Sequence, residues 1–230
     1  MPETGRNGRP RRDGVLFDLD GTFADTAPDM ARALDRLLAA HGRAPLPFER
    51  VRPQVSHGSK AMIQLGFGLG PEDAGYEALR RQFLDLYAAD LARATAPFPG
   101  ILDLVTELER RDIPWGIVTN KPGWLTDPLL AALDLDRRAA CVVSGDTAAR
   151  PKPHPDPLLL GCERIGRSPA DCWYLGDAER DVLAGRAAGT GTLVALFGYL
   201  GAGEDPATWG ADGMIEAPLD LLGWLGLTNG

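Results

Sequence analysis

One stretch constrains the fold more than any other part of the sequence: Val15-Leu16-Phe17-Asp18-Leu19-Asp20-Gly21-Thr22. Its apolar residues predict a short strand buried in the middle of a parallel sheet. Asp18 and Asp20 follow at the exit of this strand. Because alternate side chains of a strand share a face, the two carboxylates begin on the same side of the chain. Two like charges this close are unfavourable without a cation or a shared proton, so the stretch predicts a metal site.

Two other interpretations of Asp18-Leu19-Asp20-Gly21 stay open at this point. A turn rich in Asp and Gly that follows a strand needs no metal. A calcium-binding EF-hand loop also starts with alternating acidic residues, but its later ligands and its closing Glu do not follow at the required spacing. The choice depends on whether the rest of the chain supplies partners for the two carboxylates.

The composition is that of a globular protein and narrows the classes of partner. The chain has 230 residues, 44% of them hydrophobic and 24% charged, which allows one large domain or a main domain with a smaller one. A net charge of -8 argues against nucleic-acid binding but allows a phosphorylated small substrate beside a local cation. No stretch reaches the roughly 20 apolar residues of a membrane span. We expect a cytoplasmic monomer or homodimer with no nucleic-acid or membrane partner.

The three cysteines and the amino-terminal residues carry no functional motif. The cysteines have no C-x-x-C spacing and are predicted to be reduced, buried thiols (Cys141, Cys162 and Cys172). Residues 1–13 are polar and hold four arginines (Arg6, Arg9, Arg11 and Arg12), and no apolar segment of signal-peptide length follows them. We expect residues 1–13 to form a disordered tail.

Apolar periodicity divides the rest of the chain into two predicted domains. Residues 26–95 show helical spacing and no convincing strand, which predicts a small all-helical domain. Residues 14–25 and 96–230 instead alternate helices and strands with short connections, the pattern of an α/β, doubly wound parallel sheet. The stretch Ala96-Pro97-Phe98-Pro99-Gly100 is predicted to be a stiff hinge between the two domains.

Polar side chains collect where the predicted strands end, the edge at which ligands bind in such sheets. They are Asp18, Asp20, Thr119, Asn120, Lys121, Lys152, Asp177, Glu179 and Asp181. A phosphomonoester brings about two negative charges, so a divalent ion and an ammonium must neutralise the site before an anionic nucleophile can approach. Ligands that are all oxygens favour Mg²⁺ over zinc. The hydroxyl and amides near residue 119 and the amine of residue 152 suit phosphoryl oxygens, so the set indicates phosphoryl transfer.

Four motifs in this set resemble those of the haloacid dehalogenase superfamily, in the expected order. They are Asp18-x-Asp20-Gly21-Thr22, the strand ending in Thr119-Asn120, Lys152-Pro153, and Gly176-Asp177-x-x-x-Asp181. The resemblance covers nearly the whole chain. It implies a Rossmann-like core domain and, for residues 26–95, the mobile helical cap that part of this superfamily carries.

The resemblance also implies a role for each motif residue. Asp18 would be the nucleophile that forms an aspartyl-phosphate, and Asp20 would protonate the leaving oxygen and then take a proton from water. Mg²⁺ would be held by Asp18, Asp177 and the main-chain carbonyl of Asp20, with Asp181 steadying the site. The groups implied to bind the phosphoryl oxygens are Thr119, Asn120 and Lys152, the last also being catalytic. The chemistry agrees, because an attacking carboxylate must be ionised while its neighbour holds a proton.

Within the superfamily the chain resembles the phosphoglycolate phosphatases and, more narrowly, the N-acetylmuramic acid 6-phosphate phosphatases of bacterial peptidoglycan recycling. The narrower match lies in residues 51–59, 119–122, 198–199 and 209–212. It implies a small substrate with a carboxylate beside the phosphate. The cap residues expected near the leaving group are Arg52, Ser56, His57 and Gly58.

Each of the less specific residues has a plainer alternative. Arg52 is expected to meet the substrate carboxylate, and a solvated arginine on a helix face is the alternative. His57 either faces the leaving group or is a solvated loop residue. Lys121 either binds phosphate or caps its turn, and Thr26 is predicted to cap the helix that follows it.

Three further functions are kept as alternatives to a phosphatase of a carboxylated phosphosugar. A phosphoglycolate phosphatase would use the same site on a smaller substrate. A phosphosugar mutase would also form the aspartyl-phosphate but needs cap groups that hold a bisphosphate, and the sequence identifies none. A binding module on an inactive scaffold would be expected to have lost Asp18, Asp20, Lys152 or Asp177, and all four are present.

Overall fold

The structure of the protein, a computed structural model, describes residues 12–227. Eight strands occur in this part of the chain: β1 (Gly14–Phe17), β2 (Ala24–Asp25), β3 (Ala96–Pro97), β4 (Trp115–Val118), β5 (Cys141–Val143), β6 (Cys172–Gly176), β7 (Gly191–Ala195) and β8 (Gly213–Ile215). Six of them form one parallel sheet in the order β5-β4-β1-β6-β7-β8. The chain order reverses between β1 and β6, and this switch point is where a doubly wound sheet binds its ligand.

Helices cover both faces of the sheet and form the segment between β2 and β3. They are α1 (Ala27–Ala40), α2 (Phe48–Val51), α3 (Gly58–Phe67), α4 (Tyr76–Ala88), α5 (Ile101–Arg110), α6 (Gly123–Ala132), α7 (Asp156–Arg164), α8 (Glu179–Ala188) and α9 (Leu221–Trp224). Short 3₁₀ helices span Arg52–His57, Pro169–Asp171, Pro206–Thr208 and Pro218–Asp220. We call residues 26–95 the cap and the rest of the described chain the core. None of the helices described is long and apolar enough to cross a membrane.

The central strand β1 explains why both faces of the sheet are covered. Val15 and Phe17 belong to one apolar cluster, whereas Leu16 belongs to another on the opposite face. The first cluster includes side chains of α5, α6 and the cap helices, and the second includes side chains of α7 and α8. A strand buried on both faces reads as a continuous apolar run, which is how this one was predicted.

The stretch predicted as a hinge forms part of a second, two-stranded sheet. β2 and β3 pair antiparallel, with Ala24 opposite Pro97, so the chain leaves the core and returns to it side by side. The buried carboxylate of Asp29, in the first turn of α1, accepts hydrogen bonds from the backbone of Ala94 and Thr95 and from the Thr95 hydroxyl. The two connections to the cap are therefore bonded to each other at its base.

The structure differs from the sequence-based expectations at two places. The helix predicted near residues 48–54 becomes 3₁₀ after Val51, because Pro53 has no backbone N–H and its ring would clash with the carbonyl four residues earlier. Of the tail predicted at residues 1–13, only the last two are described. Arg12 lies over the Trp173 ring and Asp13 pairs with Arg167 at 2.8 Å, so these two pack on the core.

Candidate active site

Lys152 lies at the centre of a buried charged group at the end of β1. Its Nζ is 2.9 Å from Asp18 Oδ1 and 2.7 Å from Asp181 Oδ1, and all three side chains are at most 4% exposed. The ammonium also donates to Val118 O and to the hydroxyl of Tyr174. A buried charge needs such partners, and here one cation balances two carboxylates, one directly after β1 and one in the first turn of α8.

The side chain of Asn120 holds the Lys152 segment in place. Its Nδ2 donates to Lys152 O and its Oδ1 accepts from Lys152 N, each at 2.9 Å. Both ends of the amide are therefore bound to the backbone of the lysine that contacts Asp18. Phosphate binding by Asn120, which the family resemblance implies, stays a prediction, and the structure adds that the side-chain amide positions Lys152.

Asp20 faces the cavity and has partners from both parts of the molecule. Its Oδ1 accepts from the Thr26 hydroxyl at 2.6 Å and from Lys121 Nζ at 2.9 Å. The same lysine donates to the hydroxyl of Tyr87 in cap helix α4, at 2.9 Å. Thr26 occupies the predicted N-cap position of α1, but its hydroxyl makes no capping bond because it donates to Asp20. The side chain of Lys121, for which phosphate binding and a turn cap were the alternatives, bonds to Asp20 and Tyr87.

Asp177 lies beside Asp18 across the switch point of the sheet. Its Oδ2 accepts from Tyr199 N at 2.9 Å and from the hydroxyl of Ser56 in the cap at 2.7 Å. Its Oδ1 is buried and has no hydrogen-bond partner. A Cβ at Gly21 would lie 2.1 Å from Asp177 Oδ2, so the carboxylate packs directly against this backbone. A buried carboxylate oxygen without a partner needs an explanation, and a bound cation would supply one.

Three carboxylates of the site have ligand atoms close enough to share one ion. Oxygens of Asp18, Asp177 and Asp181 all lie within 4.8 Å of one another, and the three residues are buried. Of these, Asp181 already accepts from Lys152 and Ala178 N, whereas Asp177 Oδ1 is unpaired. The all-oxygen donor set is the one that Mg²⁺ prefers. The residues present therefore fit a magnesium site.

Crowding and burial shift the titration of these carboxyls. Burial, followed by repulsion from Asp181, raises the pKa of Asp18 to about 6 against the opposing effect of Lys152. Burial, then Asp18 and Asp181, raises the pKa of Asp177 to about 7. Burial also acts to raise the pKa of Asp181, but Lys152 and Arg180 outweigh it and lower that pKa. Without a further cation, these carboxyls are therefore not all ionised near neutral pH.

Thr119 and the cap complete the walls of a cavity of about 1290 Å³ above the carboxylates. Thr119 Oγ1 accepts from Lys121 N at 3.1 Å, which leaves its own proton to donate to a ligand. The side chains that line the cavity from the cap include Met30, Arg50, Gln54, Ser56, His57, Lys60, Gln64, Arg80, Phe83 and Tyr87, together with Gly58. The cap wall therefore combines cations with an apolar and aromatic surface.

Arg52 is placed differently from the other cap residues named from the sequence. Ser56, His57 and Gly58 line the cavity, whereas Arg52 does not. Its guanidinium donates to Gly198 O and Phe197 O and lies 4.9 Å from the centre of the Tyr199 ring. In this structure Arg52 joins the cap to the loop after β7 and does not face a substrate, because carbonyls and an aromatic ring occupy its guanidinium.

Arg180 belongs to the site and was missed by the motif analysis. It lines the cavity, with Nη2 4.0 Å from Asp18 Oδ2 and 2.7 Å from Ser56 O. Its neighbours Glu179 and Asp181, in the first turn of α8, were named from the sequence, but Arg180 was not. Its position between two motif aspartates, at the edge where ligands bind, was a usable signal.

A doubly wound sheet with two carboxylates after its central strand, a buried lysine and a helical cap defines a hydrolase of the haloacid dehalogenase type. The model of the haloacid dehalogenase-like hydrolase family matches residues 12–189, and the chain belongs to this family. Its relatives carry the names of phosphatases, and the protein is a phosphatase. The family and the fold predicted from the sequence are confirmed.

Two relatives and one solved structure are similar over almost the whole chain. The N-acetylmuramic acid 6-phosphate phosphatase of Pseudomonas aeruginosa is 40% identical over 214 residues, 93% of this chain and 95% of that protein. A phosphoglycolate phosphatase of Xylella fastidiosa is 44% identical over 220 residues, 95% of this chain and 94% of that protein. The crystal structure of a predicted phosphoglycolate phosphatase from Haemophilus somnus superposes with a TM-score of 0.82 at 23% identity, covering 93% and 98% of the two chains. This last likeness concerns the fold alone.

Proposed function

We propose that this phosphatase hydrolyses a small carboxylated phosphosugar through an aspartyl-phosphate on Asp18, with Mg²⁺ as cofactor and N-acetylmuramic acid 6-phosphate as the first candidate substrate. The observation that carries the proposal is the pairing of Asp18 with Lys152 at 2.9 Å, beside Asp20, on the floor of one cavity. A cytoplasmic location and a part in peptidoglycan recycling belong to the same proposal. Relatives at 40% and 38% identity bear the name of that phosphatase.

The proposed metal site uses the residues whose oxygens crowd together. Asp18, Asp177 and the main-chain carbonyl of Asp20 would hold Mg²⁺, and the unpaired Oδ1 of Asp177 supports this assignment. When bound, the ion would neutralise phosphoryl charge and keep Asp18 ionised. Asp181 would steady the site through its bonds to Lys152 and Tyr174.

In the proposed reaction, Asp18 attacks phosphorus while the bond to the leaving oxygen breaks. Asp20 donates a proton to that oxygen and then takes a proton from the water that hydrolyses the acyl phosphate. Lys152 and the hydroxyl of Thr119 would stabilise the charge on the equatorial oxygens. The bonds from Thr26 and Lys121 orient the Asp20 carboxylate toward the cavity.

The lining of the cavity favours a phosphosugar over a two-carbon acid. The wall offers aromatic surface at Phe83 and Tyr87 for a sugar ring, and cations at Arg50, Lys60 and Arg80 for a carboxylate. Phosphoglycolate stays the second candidate, because relatives at 43% to 44% identity carry the name phosphoglycolate phosphatase.

A comparison of kcat/KM tests the substrate. The panel is N-acetylmuramic acid 6-phosphate, N-acetylglucosamine 6-phosphate, which lacks the lactyl carboxylate, phosphoglycolate and glucose 6-phosphate. We expect the first to be preferred by at least about tenfold over the second, a difference of 1.4 kcal/mol for the carboxylate. Equal rates on the first two would contradict a carboxylate requirement, and a preference for phosphoglycolate would select the second candidate.

The same assays separate the remaining alternatives. A mutase would interconvert phosphosugar isomers faster than it releases free phosphate. A binding module would bind a phosphorylated ligand in calorimetry and release no phosphate from any member of the panel. Activity that survives both EDTA treatment and Asp18→Asn would contradict the proposed mechanism whatever the substrate.

A further inference from the structure

Arg180 is a second cation beside Asp18, near the carboxylate oxygen that Lys152 does not contact. It is the second residue of α8, its side chain is 19% exposed, and it lines the cavity. Lys152 Nζ is 2.9 Å from Asp18 Oδ1, whereas Arg180 Nη2 is 4.0 Å from Asp18 Oδ2. The two oxygens of the carboxylate thus face one cation each.

The guanidinium of Arg180 is also bonded to the cap. Its Nη2 donates to Ser56 O at 2.7 Å, and its Nη1 is 3.5 Å from His57 Nδ1. The hydroxyl of Ser56 in turn donates to Asp177 Oδ2 at 2.7 Å. One cap residue therefore binds the core twice, through its carbonyl to Arg180 and through its side chain to Asp177. The position of the cap segment and the position of the guanidinium are linked.

These contacts leave N–H donors of Arg180, a residue that lines the cavity, without a hydrogen-bond partner among the described residues. A guanidinium has five N–H donors, and the contacts to Ser56 and His57 use two of its nitrogens. The separation of 4.0 Å from Asp18 is longer than a hydrogen bond. A phosphoryl group attached to Asp18 would bring oxygens into that gap, and a planar guanidinium can bind two of them at once.

We propose that Arg180 is a phosphoryl-binding residue, and that the Ser56 carbonyl of the closed cap holds its guanidinium beside Asp18. The proposal rests on the nucleophilic role proposed for Asp18. Closing the cap would then complete the charge that stabilises the transferring phosphoryl group, together with Lys152. If Arg180 served only to balance the buried carboxylates, its loss would lower stability and leave phosphate binding unchanged.

Kinetics with p-nitrophenyl phosphate, and competitive inhibition by inorganic phosphate, test the first part. We expect Arg180→Met to lower kcat about 100-fold and to raise the inhibition constant of phosphate about tenfold, because donors to the phosphoryl oxygens are lost. Arg180→Lys should recover part of both, since it restores the charge but not the planar geometry. The control is Arg186→Met, an exposed arginine of the same helix that does not line the cavity. An Arg180→Met variant within twofold of wild type in both measurements would overturn the proposal.

A double-mutant cycle tests the link to the cap. Ser56→Ala removes the hydroxyl bond to Asp177 and loosens the segment whose carbonyl holds Arg180. If the segment positions the guanidinium, the losses overlap, and the double variant is little slower than Arg180→Met alone. Losses in kcat that simply multiply would overturn the link.

Failure of this inference is distinguishable from failure of the proposed function. An active wild type, an inactive Asp18→Asn and an unaffected Arg180→Met would overturn only the role of Arg180. An Asp18→Asn variant that keeps activity would instead overturn the nucleophile, and the inference with it. Thermal melts accompany each variant, and Arg180→Lys, which keeps the buried charge, replaces Arg180→Met in both tests if the latter does not fold.

Discussion

The core and the cap contribute opposite kinds of surface to one cavity. From the core, Asp18, Lys152 and Asp177 are at most 3% exposed, and each has at least one close charged or hydrogen-bonded partner. From the cap, Arg50 and Lys60 are exposed and line the cavity, and their side chains have no hydrogen-bond or ion-pair partner among the described residues. Buried, paired charges are fixed in place, whereas exposed cations can adjust to a ligand. The chemistry should therefore depend on the core and on the one cap segment, at Ser56, that bonds to Arg180 and Asp177, whereas substrate selection should depend on the exposed cations of the cap.

The largest expected effect tests the core alone. Asp18→Asn should lower kcat by at least about 10³-fold on every substrate, including p-nitrophenyl phosphate, because the nucleophile is lost. Its melting temperature should not fall, since the change removes one of three crowded carboxylates whose charged form is disfavoured by burial. Steady-state kinetics and thermal melts measure both. Arg137→Met, at a side chain that is 94% exposed, serves as the control. A loss confined to large substrates would contradict the division between core and cap.

How far the site could be predicted also follows this division. Asp18 and Asp177 could be named because strand ends in a parallel sheet meet at one edge, so sequence position implies spatial position. Lys152, which precedes α7, was named through the motif that resembles the superfamily's. Apolar periodicity also predicted the parallel sheet and the helical segment between its first two strands, because the spacing of apolar residues differs between strands and helices.

The contacts that cross between cap and core could not be predicted in this way. Two such contacts are those of Lys121 with Tyr87 and of Arg180 with Ser56. No rule of secondary structure relates the sequence positions of these residues to a distance in space. Arg52 shows the converse, because its sequence neighbours line the cavity while its own side chain bonds to Phe197 O and Gly198 O. Helical spacing gives the face of a residue, but the docking of the cap on the core decides what that face meets.

The second effect in size concerns a single buried cation of the core. Lys152→Met leaves Asp18 and Asp181 buried without their shared partner and should destabilise the protein by about 3–5 kcal/mol at pH 8. Urea unfolding in EDTA measures it. The loss should be smaller at pH 5, because Asp18, whose pKa is raised to about 6, is then protonated and needs no counter-charge. The matched control is Lys121→Met, because this buried lysine pairs with one carboxylate, that of Asp20, and not with two. An equal loss of stability in both variants would contradict the dependence on two unpaired carboxylates.

The third effect concerns competition between protons and the metal. Burial raises the pKa of Asp18 to about 6 and that of Asp177 to about 7, and a protonated carboxyl cannot bind a cation. The apparent affinity for Mg²⁺ should therefore fall about tenfold between pH 7 and 6, where Asp177 holds a proton, and about 100-fold for each pH unit below 6, where both carboxyls do. Calorimetric titration of Mg²⁺ between pH 5 and 8 measures the slope. An affinity that does not change over this range would show that these carboxyls are not the ligands.

In the metal-free protein, the same raised pKa values make the stability fall as the pH rises. In the folded state Asp18 holds a proton from its usual pKa near 4 up to about 6, and Asp177 up to about 7, where the unfolded chain does not. Their contribution to the free energy of unfolding therefore decreases as pH rises through this window. Added Mg²⁺ should restore stability most at the upper end. Asp177→Asn, which cannot ionise, should reduce both the pH dependence and the gain with Mg²⁺.

The fourth effect is smaller and belongs to the cap. Arg80 lines the cavity, and its side chain is held by Ser59 Oγ and Glu77 while being 41% exposed. If it binds the substrate carboxylate, Arg80→Met should raise KM for N-acetylmuramic acid 6-phosphate about fivefold and leave kcat unchanged. Rates with N-acetylglucosamine 6-phosphate should not change, because this sugar lacks the carboxylate. A fall in kcat with both sugars would place chemistry, and not selection alone, in the cap.

The smallest effect concerns the hydrogen bond from Lys121, which also contacts Asp20, to the hydroxyl of Tyr87 in the cap. Tyr87→Phe removes the acceptor for Lys121 Nζ but keeps the buried ring, so the free energy of unfolding should fall by only about 1 kcal/mol. Lys121 still has Asp20, and kcat should therefore fall no more than about threefold. Urea unfolding and steady-state kinetics measure the two quantities. Tyr76→Phe, at a buried tyrosine of the same helix that does not line the cavity, controls for the loss of a hydroxyl. A loss in kcat as large as that of Lys121→Met would contradict this expectation. It would mean that Lys121 orients Asp20, the proposed acid, only when Tyr87 holds the lysine, so that the cap sets the geometry of the acid as well as the choice of substrate.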